Sequence, residues 1–205
     1  MADRIVVGYF GDRASLAATI RASAARGVDV VAVAFDLGGK IPLSALRDDA
    51  LSLGALRCHA LDVREDFARQ VIVPALAADP SELHETVAEI ARHFVAASLD
   101  SIARLETAAF IEPDGFEVPW RTGVERRRMT GSATIALRFE QQTPRELNGI
   151  PMTPAEILES LETISGLAAL DVLHAAYQEA SSNDEVVELA VADGRIDVAS
   201  RLVAS

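Results

Sequence analysis

With 205 residues, half of them hydrophobic and 24% charged, the chain can bury one sizeable core, or one core and a small appendage, which excludes a disordered or fibrous segment. Acidic residues outnumber basic ones by 31 to 19, a formal charge of −12, so a nucleic-acid partner would need a strongly segregated basic face. The longest basic run, Arg126-Arg127-Arg128, follows Glu125 and reads as a solvated strand edge, so no nucleic acid is expected as a partner.

Cys58 is the sole cysteine, so no intrachain disulfide forms and a reducing compartment, the cytoplasm, is expected. Within a buried-looking strand its thiol serves as a small hydrophobe rather than as a nucleophile. The opening Met-Ala-Asp-Arg runs into a strand without a secretory apolar region, and no stretch of 18 uncharged apolar residues occurs. Neither secretion nor a membrane partner is expected.

Arg4 to Leu16 is the stretch around which the rest is organised. Ile5, Val6, Val7 and Gly8 read as a buried parallel strand that breaks into a glycine-containing loop and opens a helix near Ser15. That helix should run to Arg26, with Ser15 as N-cap, Leu16, Ile20 and Ala24 on one face and Gly27 as its stop. Val28 to Phe35 follows as a second strand and Pro42 to Gly54 as a second helix, with Pro42 in its first turn; Arg57 to Leu61 is a third strand. Asp36-Leu-Gly-Gly39 supplies flexible backbone at the second strand's end, either as a simple loop or as part of a ligand crevice. In such a doubly wound sheet the crevice lies at the strand C-termini.

Arg64 to Leu76 reads as a helix with Phe67, Val71 and Ala75 at helical spacing, bent or ended by Pro74. In Asp79-Pro80-Ser81-Glu82, Asp79 caps, Pro80 takes the first helical position and Glu82 completes a capping box. Leu83, Val87, Ile90, Phe94, Leu99, Ile102 and Leu105 then mark one long helix, or two with a break near Ser98. Glu112-Pro-Asp-Gly115 reads as a turn, and Pro113, Pro119 and Trp120 as irregular, surface-crossing chain, the best linker candidate.

From Ser132 to Glu140 the sequence alternates, with Ala133, Ile135, Leu137 and Phe139 on one face, and a hairpin-like pair ending at Leu147 follows. Pro144 and Asn148-Gly149 punctuate the turns. Thr153-Pro154-Ala155-Glu156 is a capping box opening a helix with Ile157, Leu158, Leu161 and Ile164 that stops at Gly166. From Leu167 a helix runs to about Ala180, then a polar turn at 181–184, then two short amphipathic pieces around Asp193-Gly194. The expected fold is therefore α/β: a doubly wound, mainly parallel sheet with helices on both faces, a small α+β segment of hairpin and helix, and a C-terminal helical arm. The expected domains are 1–110, 111–166 and 167–205.

His84 and His93 stand nine residues apart, on opposite sides of their helix, and His59 and His174 have no acidic or thiol partner at ligand spacing. No metal site is expected.

The blocks Arg4-Ile-Val-Val-Gly-Tyr-Phe-Gly-Asp-Arg-Ala-Ser-Leu16, Val33-Ala-Phe-Asp-Leu-Gly-Gly39, Leu61-Asp-Val-Arg-Glu-Asp-Phe67 with Val73-Pro-Ala-Leu76, and Phe139 to Leu158 occur in this order, and together they resemble argininosuccinate synthase. The resemblance covers about residues 4 to 76 and 117 to 175, the last block being the most specific. It implies a nucleotide-binding domain of the N-type ATP-pyrophosphatase kind, ATP or AMP as cofactor, a second domain for citrulline and aspartate, and a homo-oligomer with a C-terminal arm.

Carried onto this sequence, the nucleotide site falls at Gly8, Tyr9, Phe10, Gly11, Asp12, Arg13, Ser15, Phe35 and Gly38, and no catalytic residue is assigned. The family loop has the form A-Y-S-G-G-L-D-T-S. Here Phe10 replaces a serine, Ala14 replaces the acid, and Asp12 puts a carboxylate where a glycine lets backbone approach pyrophosphate. The family's Y-x-L-G-T-S-x-A-R-P and H-G-x-T-G-K-G-N-D-Q stretches have no counterpart between Leu76 and Phe116. The chain thus resembles an ATP-dependent carbon-nitrogen ligase while lacking most groups that would orient the reactants.

Three readings remain open. One is a shortened, catalytically degenerate relative, a pseudoenzyme whose crevice still binds a nucleotide or smaller anion. Another is a regulatory or interaction protein that assembles with itself or with a full-length synthase. The third is an active ligase, for citrulline and aspartate or for altered substrates. For the loop itself the bland reading also stands: Gly8 and Gly11 allow a tight turn, Asp12 and Arg13 form a solvated ion pair, and Ser15 caps a helix.

Overall fold

The computed structural model describes residues 3–39, 41–113, 116–120, 132–165, 167–180, 184–192 and 195–203. The basic run Arg126–Arg128, the second half of the turn at 112–115, the stop at Gly166, residues 181–183 of the polar turn and Asp193-Gly194 lie outside the described residues. In chain order the elements are β1 (Asp3–Tyr9), α1 (Arg13–Ala24), β2 (Val28–Asp36), α2 (Leu43–Ser52), β3 (Arg57–Asp62), α3 (Arg64–Phe67), a π-helical turn (Ala68–Ile72) and α4 (Val73–Ala75). There follow α5 (Leu83–Glu106), β4 (Ala109–Ile111), β5 (Ser132–Glu140), β6 (Thr143–Leu147), β7 (Ile150–Pro151), α6 (Pro154–Ser165), α7 (Ala169–Glu179), β8 (Asp184–Ala192) and β9 (Arg195–Val203). They form two compact units, Met1–Arg64 with Ala91–Glu117, and Glu65–Ile90 with Val118–Ser205.

In the first unit all strands are parallel, in the order β3-β2-β1-β4. The near-continuous apolar run of β2 suits a strand buried on both faces. Val7, Tyr9, Val30, Ala32 and Ala34 form one face, packed on Leu16 of α1 and Leu46 and Ala50 of α2. The other face holds Val6, Val31 and Val33 and meets α5, whose Leu99 reaches to within 3.6 Å of where a side chain on Gly8 would begin. Each such fully buried Val or Leu contributes about 1.5–3 kcal/mol. β4 was not expected: three residues are too few to show a period, and Ala109–Ile111 becomes a strand by pairing with Ile5–Val7. Since β1, β2 and β3 step one way and β4 lies on β1's other side, the strand order reverses between β1 and β4, where open α/β sheets hold ligands.

The helices correct several expectations. α1 starts at Arg13 and is capped by Asp12, not Ser15, and its buried face carries Leu16 and Ser23 while Ala24 is exposed. Pro42 precedes α2 with an extended ψ of 137° rather than sitting inside its first turn. α5 begins at Leu83, after a turn in which the Asp79 carbonyl, rather than its carboxylate, accepts from the N–H groups of Glu82 and Leu83. It is one unbroken helix, and Ser98 donates its hydroxyl to the Phe94 carbonyl at 2.9 Å. Its buried stripe is Leu83, Val87, Ala91, Val95, Leu99 and Ala103, where the alanines allow close approach, and Leu105 is 71% exposed.

In the second unit α3, the π turn and α4 form one helical stretch burying Phe67, Val71 and Ala75. The helix closes at Ala75, one residue after Pro74, and widens by a π turn just before the proline, which relieves the clash of the ring with the carbonyl four residues back. Val118 and Trp120, expected on a surface-crossing segment, are buried, and Leu170 donates its N–H to the Trp120 carbonyl. The rings of Trp120 and Phe67 lie 6.2 Å apart, and covering two such large apolar surfaces outweighs the turn chemistry of the flanking prolines.

An antiparallel sheet, ordered β7-β6-β5-β8-β9, completes the unit. Ile135, Leu137 and Phe139 are fully buried, as the alternation requires. α6 opens as expected, Thr153 N–H donating to Glu156 at 2.8 Å and Glu156 N–H to the Thr153 hydroxyl at 3.4 Å. The expected helical arm holds only for α7. β8 and β9 are strands: Val187, Leu189 and Val191 bury every second residue, a period of two that pairs β8 with β5.

Candidate functional site

The candidate site is the C-terminal edge of the parallel sheet. After Tyr9 the chain turns through Phe10, Gly11 and Asp12 into α1. Gly11 takes a φ of 102°, a left-handed conformation that favours glycine, and a Cβ there would have to push aside only the terminal methyl of the exposed Ile41. The Asp12 carboxylate accepts from Ala14 N–H (3.0 Å), Ser15 N–H (3.2 Å) and the Ser15 hydroxyl (2.7 Å). Those groups are what a helix N-terminus offers to an incoming phosphate. The Ser15 hydroxyl and N–H, with Ala14 N–H, hold the Asp12 carboxyl below the usual carboxylate range. A second anion about 4 Å from this charge would meet a repulsion of about 1 kcal/mol in water and about 4 near a protein surface.

Phe10 turns its ring back over the end of β1. A Cβ on Gly8 would lie 3.2 Å from that ring, so the space above Gly8 is filled by Phe10. The ring stacks nearly parallel on Phe35, at the end of β2, with centroids 5.3 Å apart, and on Phe116, after β4, at 4.6 Å. Phe35 is buried while Phe10 and Phe116 are half-buried, leaving aromatic surface at the point where the strand order reverses. Each stacked pair contributes about 0.5–1.5 kcal/mol beyond its buried area.

The remaining expected residues point elsewhere. Tyr9 belongs to the core under α1 and α2, where its hydroxyl donates to Asp49. Burial raises the pKa of that hydroxyl, with Arg13 opposing. Arg13 pairs with Asp49, not with Asp12, so the expected Asp12–Arg13 pair gives way to a helix cap and a separate ion pair. Gly38 donates its N–H to the Asp36 carboxylate at 2.9 Å, closing the loop after β2 on itself, and Arg64 approaches the same carboxylate at 3.6 Å. The structure therefore gathers Gly8, Phe10 and Phe35 into one group and Gly11, Asp12 and Ser15 into another. Phe116, Asp49 and Asp36 were missed as parts of the site. Only Asp36 carried a signal, its place before Leu-Gly-Gly; the other two arrive by folding. Among the described residues no group of three or more His, Cys, Asp or Glu side chains is placed to hold a metal ion.

The Arginosuccinate synthase N-terminal HUP domain family model matches residues 4–114, more than half of the chain and all of the parallel sheet but Asp3. The chain belongs to that family. Among similar proteins is an argininosuccinate synthase of Streptococcus suis (strain 05ZYH33), 35% identical over 85 residues, 40% of this chain and 21% of that protein. Another, from Geobacillus thermodenitrificans (strain NG80-2), is 33% identical over 88 residues, 42% of this chain and 22% of its own. A third, from Dehalococcoides mccartyi (strain CBDB1), is 29% identical over 113 residues, or 54% and 28%. The chain thus spans about a fifth to a quarter of the length of these synthases.

In this family member the stretch from Gly8 to Ser15 follows a strand-loop-helix path. Along it an aromatic ring lies over Gly8 and a carboxylate sits on the first-turn donors. The arrangement offers a flat apolar surface for a planar ring and a cap already neutralised by its own anion.

Proposed function

We propose that the chain is a catalytically degenerate argininosuccinate synthase-like protein whose crevice takes the nucleoside end of a nucleotide, AMP in preference to ATP. The observation that supports this reading is the Asp12 carboxylate on Ala14 N–H, Ser15 N–H and the Ser15 hydroxyl. Triphosphate binding at that helix end would have to displace an internal anion and would face its charge. A base, by contrast, gains contact with the half-buried rings of Phe10 and Phe116. Calorimetry of the full chain with ATP, AMP and pyrophosphate tests this reading. AMP should bind at least as tightly as ATP, pyrophosphate should give no saturable heat, and ATP with citrulline and aspartate should release no pyrophosphate. Tighter ATP binding with a burst of pyrophosphate would restore the active-ligase reading. We place the protein in the cytoplasm on the ground of its single cysteine; no helix of the described residues is long and apolar enough to cross a membrane.

A second reading, assembly with itself or with a full-length synthase, draws support from Leu51 and Leu56, which stand 43% and 47% exposed beside edge strand β3. Light scattering of the purified chain, alone and mixed with a synthase, tests it; a monomer in both samples removes it.

A further inference from the structure

In the second unit a cleft of about 470 Å³ lies along β6, β7 and the start of α6, in the size range of small-molecule sites. Its charged lining is Arg69, Arg145, Glu140, Glu146 and Glu156. Most of these groups are half engaged from behind. Arg69 pairs with Glu65, Arg138 reaches Glu140 at 3.2 Å and Glu146 at 2.8 Å, and Glu156 caps Thr153 N–H. Arg145 differs, since among the described residues it makes no ion pair and stands exposed at the cleft. Glu140 and Glu146 each meet Arg138 through one carboxylate oxygen, and Glu156 is bonded by both the N–H and the side chain of Thr153.

With Arg138 and Glu65 counted, three guanidinium groups face four carboxylates, so the cleft keeps one negative charge. An acidic ligand would therefore be repelled by the glutamates, and a neutral zwitterion would leave that charge unmatched. A bare divalent cation would compete with the Arg138 guanidinium and the Thr153 N–H for the same oxygens. The set is complemented by a molecule carrying one carboxylate and two cationic groups: the carboxylate takes a two-pronged bond from Arg145, and the cations lie among the glutamates. We propose that this cleft binds a free basic α-amino acid, held at its carboxylate by Arg145 and at its cationic groups by Glu140, Glu146 and Glu156.

The site shares no residue with the sheet-edge crevice, so its test leaves the nucleotide reading untouched. Calorimetry on the full chain would compare L-arginine, L-lysine, L-glutamate and agmatine, which is arginine without its carboxylate. L-arginine and L-lysine should bind saturably and L-glutamate should not, while agmatine should bind about tenfold more weakly than L-arginine. That comparison needs no variant. Arg145→Gln should bring L-arginine down to the agmatine level and leave agmatine unchanged, with an unaltered melting temperature as the folding control. Absence of saturable L-arginine binding up to about 10 mM, equal binding of agmatine, or binding of L-glutamate as tight as that of L-arginine would each overturn the proposal.

Discussion

At the N-terminal edge of the parallel sheet Glu106 is buried among Arg4 (3.4 Å), Arg57 (3.2 Å) and His59 (2.8 Å), whereas at the C-terminal edge Asp12 lies in solvent against backbone N–H groups. Both are single carboxylates that close one end of the same four strands. Glu106, whose side chain is 4% exposed, gathers cations from β1 and β3 and ties the sheet to the end of α5, so its value lies in stability. Asp12 gathers only its own helix's donors, so removing it opens an anion-binding end at little structural cost. The difference teaches that a charge at a sheet edge reads as structural or functional by what it satisfies and by what water can replace.

The largest expected effect is at the buried edge. Glu106→Ala leaves Arg4, Arg57 and His59 facing an empty space and should cost about 3 kcal/mol in urea denaturation; a loss below about 1 kcal/mol would mean that the two edges do not differ in kind. The same carboxyl is held below its ordinary pKa, first by the hydrogen bond from His59 and then by Arg57 and Arg4. Its folded-state pKa is depressed, so its contribution is present above the unfolded value of about 4.3 and is lost as pH falls through the folded one. Denaturation midpoints measured below about pH 4.5 should therefore fall more steeply for the unaltered chain than for Glu106→Gln, and parallel curves would contradict this.

Next in size, Phe10→Ala removes the middle ring of the stack and should cost about 1.5 kcal/mol, half-buried as it is, while weakening AMP binding. Unchanged AMP affinity would detach the aromatic surface from the nucleotide reading. In the second unit, Thr153→Ala deletes one half of the α6 capping box and should cost about 1 kcal/mol by thermal unfolding. The smallest stability effect belongs to Asp12→Gly, a few tenths of a kcal/mol, since glycine caps nearly as well. Its binding effect should be the opposite of a loss: pyrophosphate affinity should rise about fivefold or more in calorimetry, and an unchanged value would show that Asp12 does not guard the helix end.

Much of the first unit was legible because its signals are local. The apolar runs of β1 and β2, the break at Gly8 to Asp12 and the capping box at Thr153 each depend on residues within one turn or one strand. The Asp12 cap was misread as Ser15 because both residues suit the position, and only the backbone path at Gly11, with its φ of 102°, decides between them. The turn between β5 and β6 was expected at Pro144, which instead lies buried inside β6; the turn falls on Gln141 and Gln142, with left-handed φ values of 49° and 62° that sequence patterns assign to glycine or asparagine. Pairing of the flanking strands holds them there.

What the sequence determined by itself is the family, the parallel strand-loop-helix order and the altered chemistry of the loop, since each follows from residue types in contiguous stretches. Tertiary structure alone decided that Phe10 lies between Phe35 and Phe116, that Arg13 answers to Asp49, that three residues at 109–111 make a fourth strand and that the last elements pair as strands. Each of these outcomes joins residues far apart in the chain, and a contact that forms only on folding leaves no periodicity in the sequence to read.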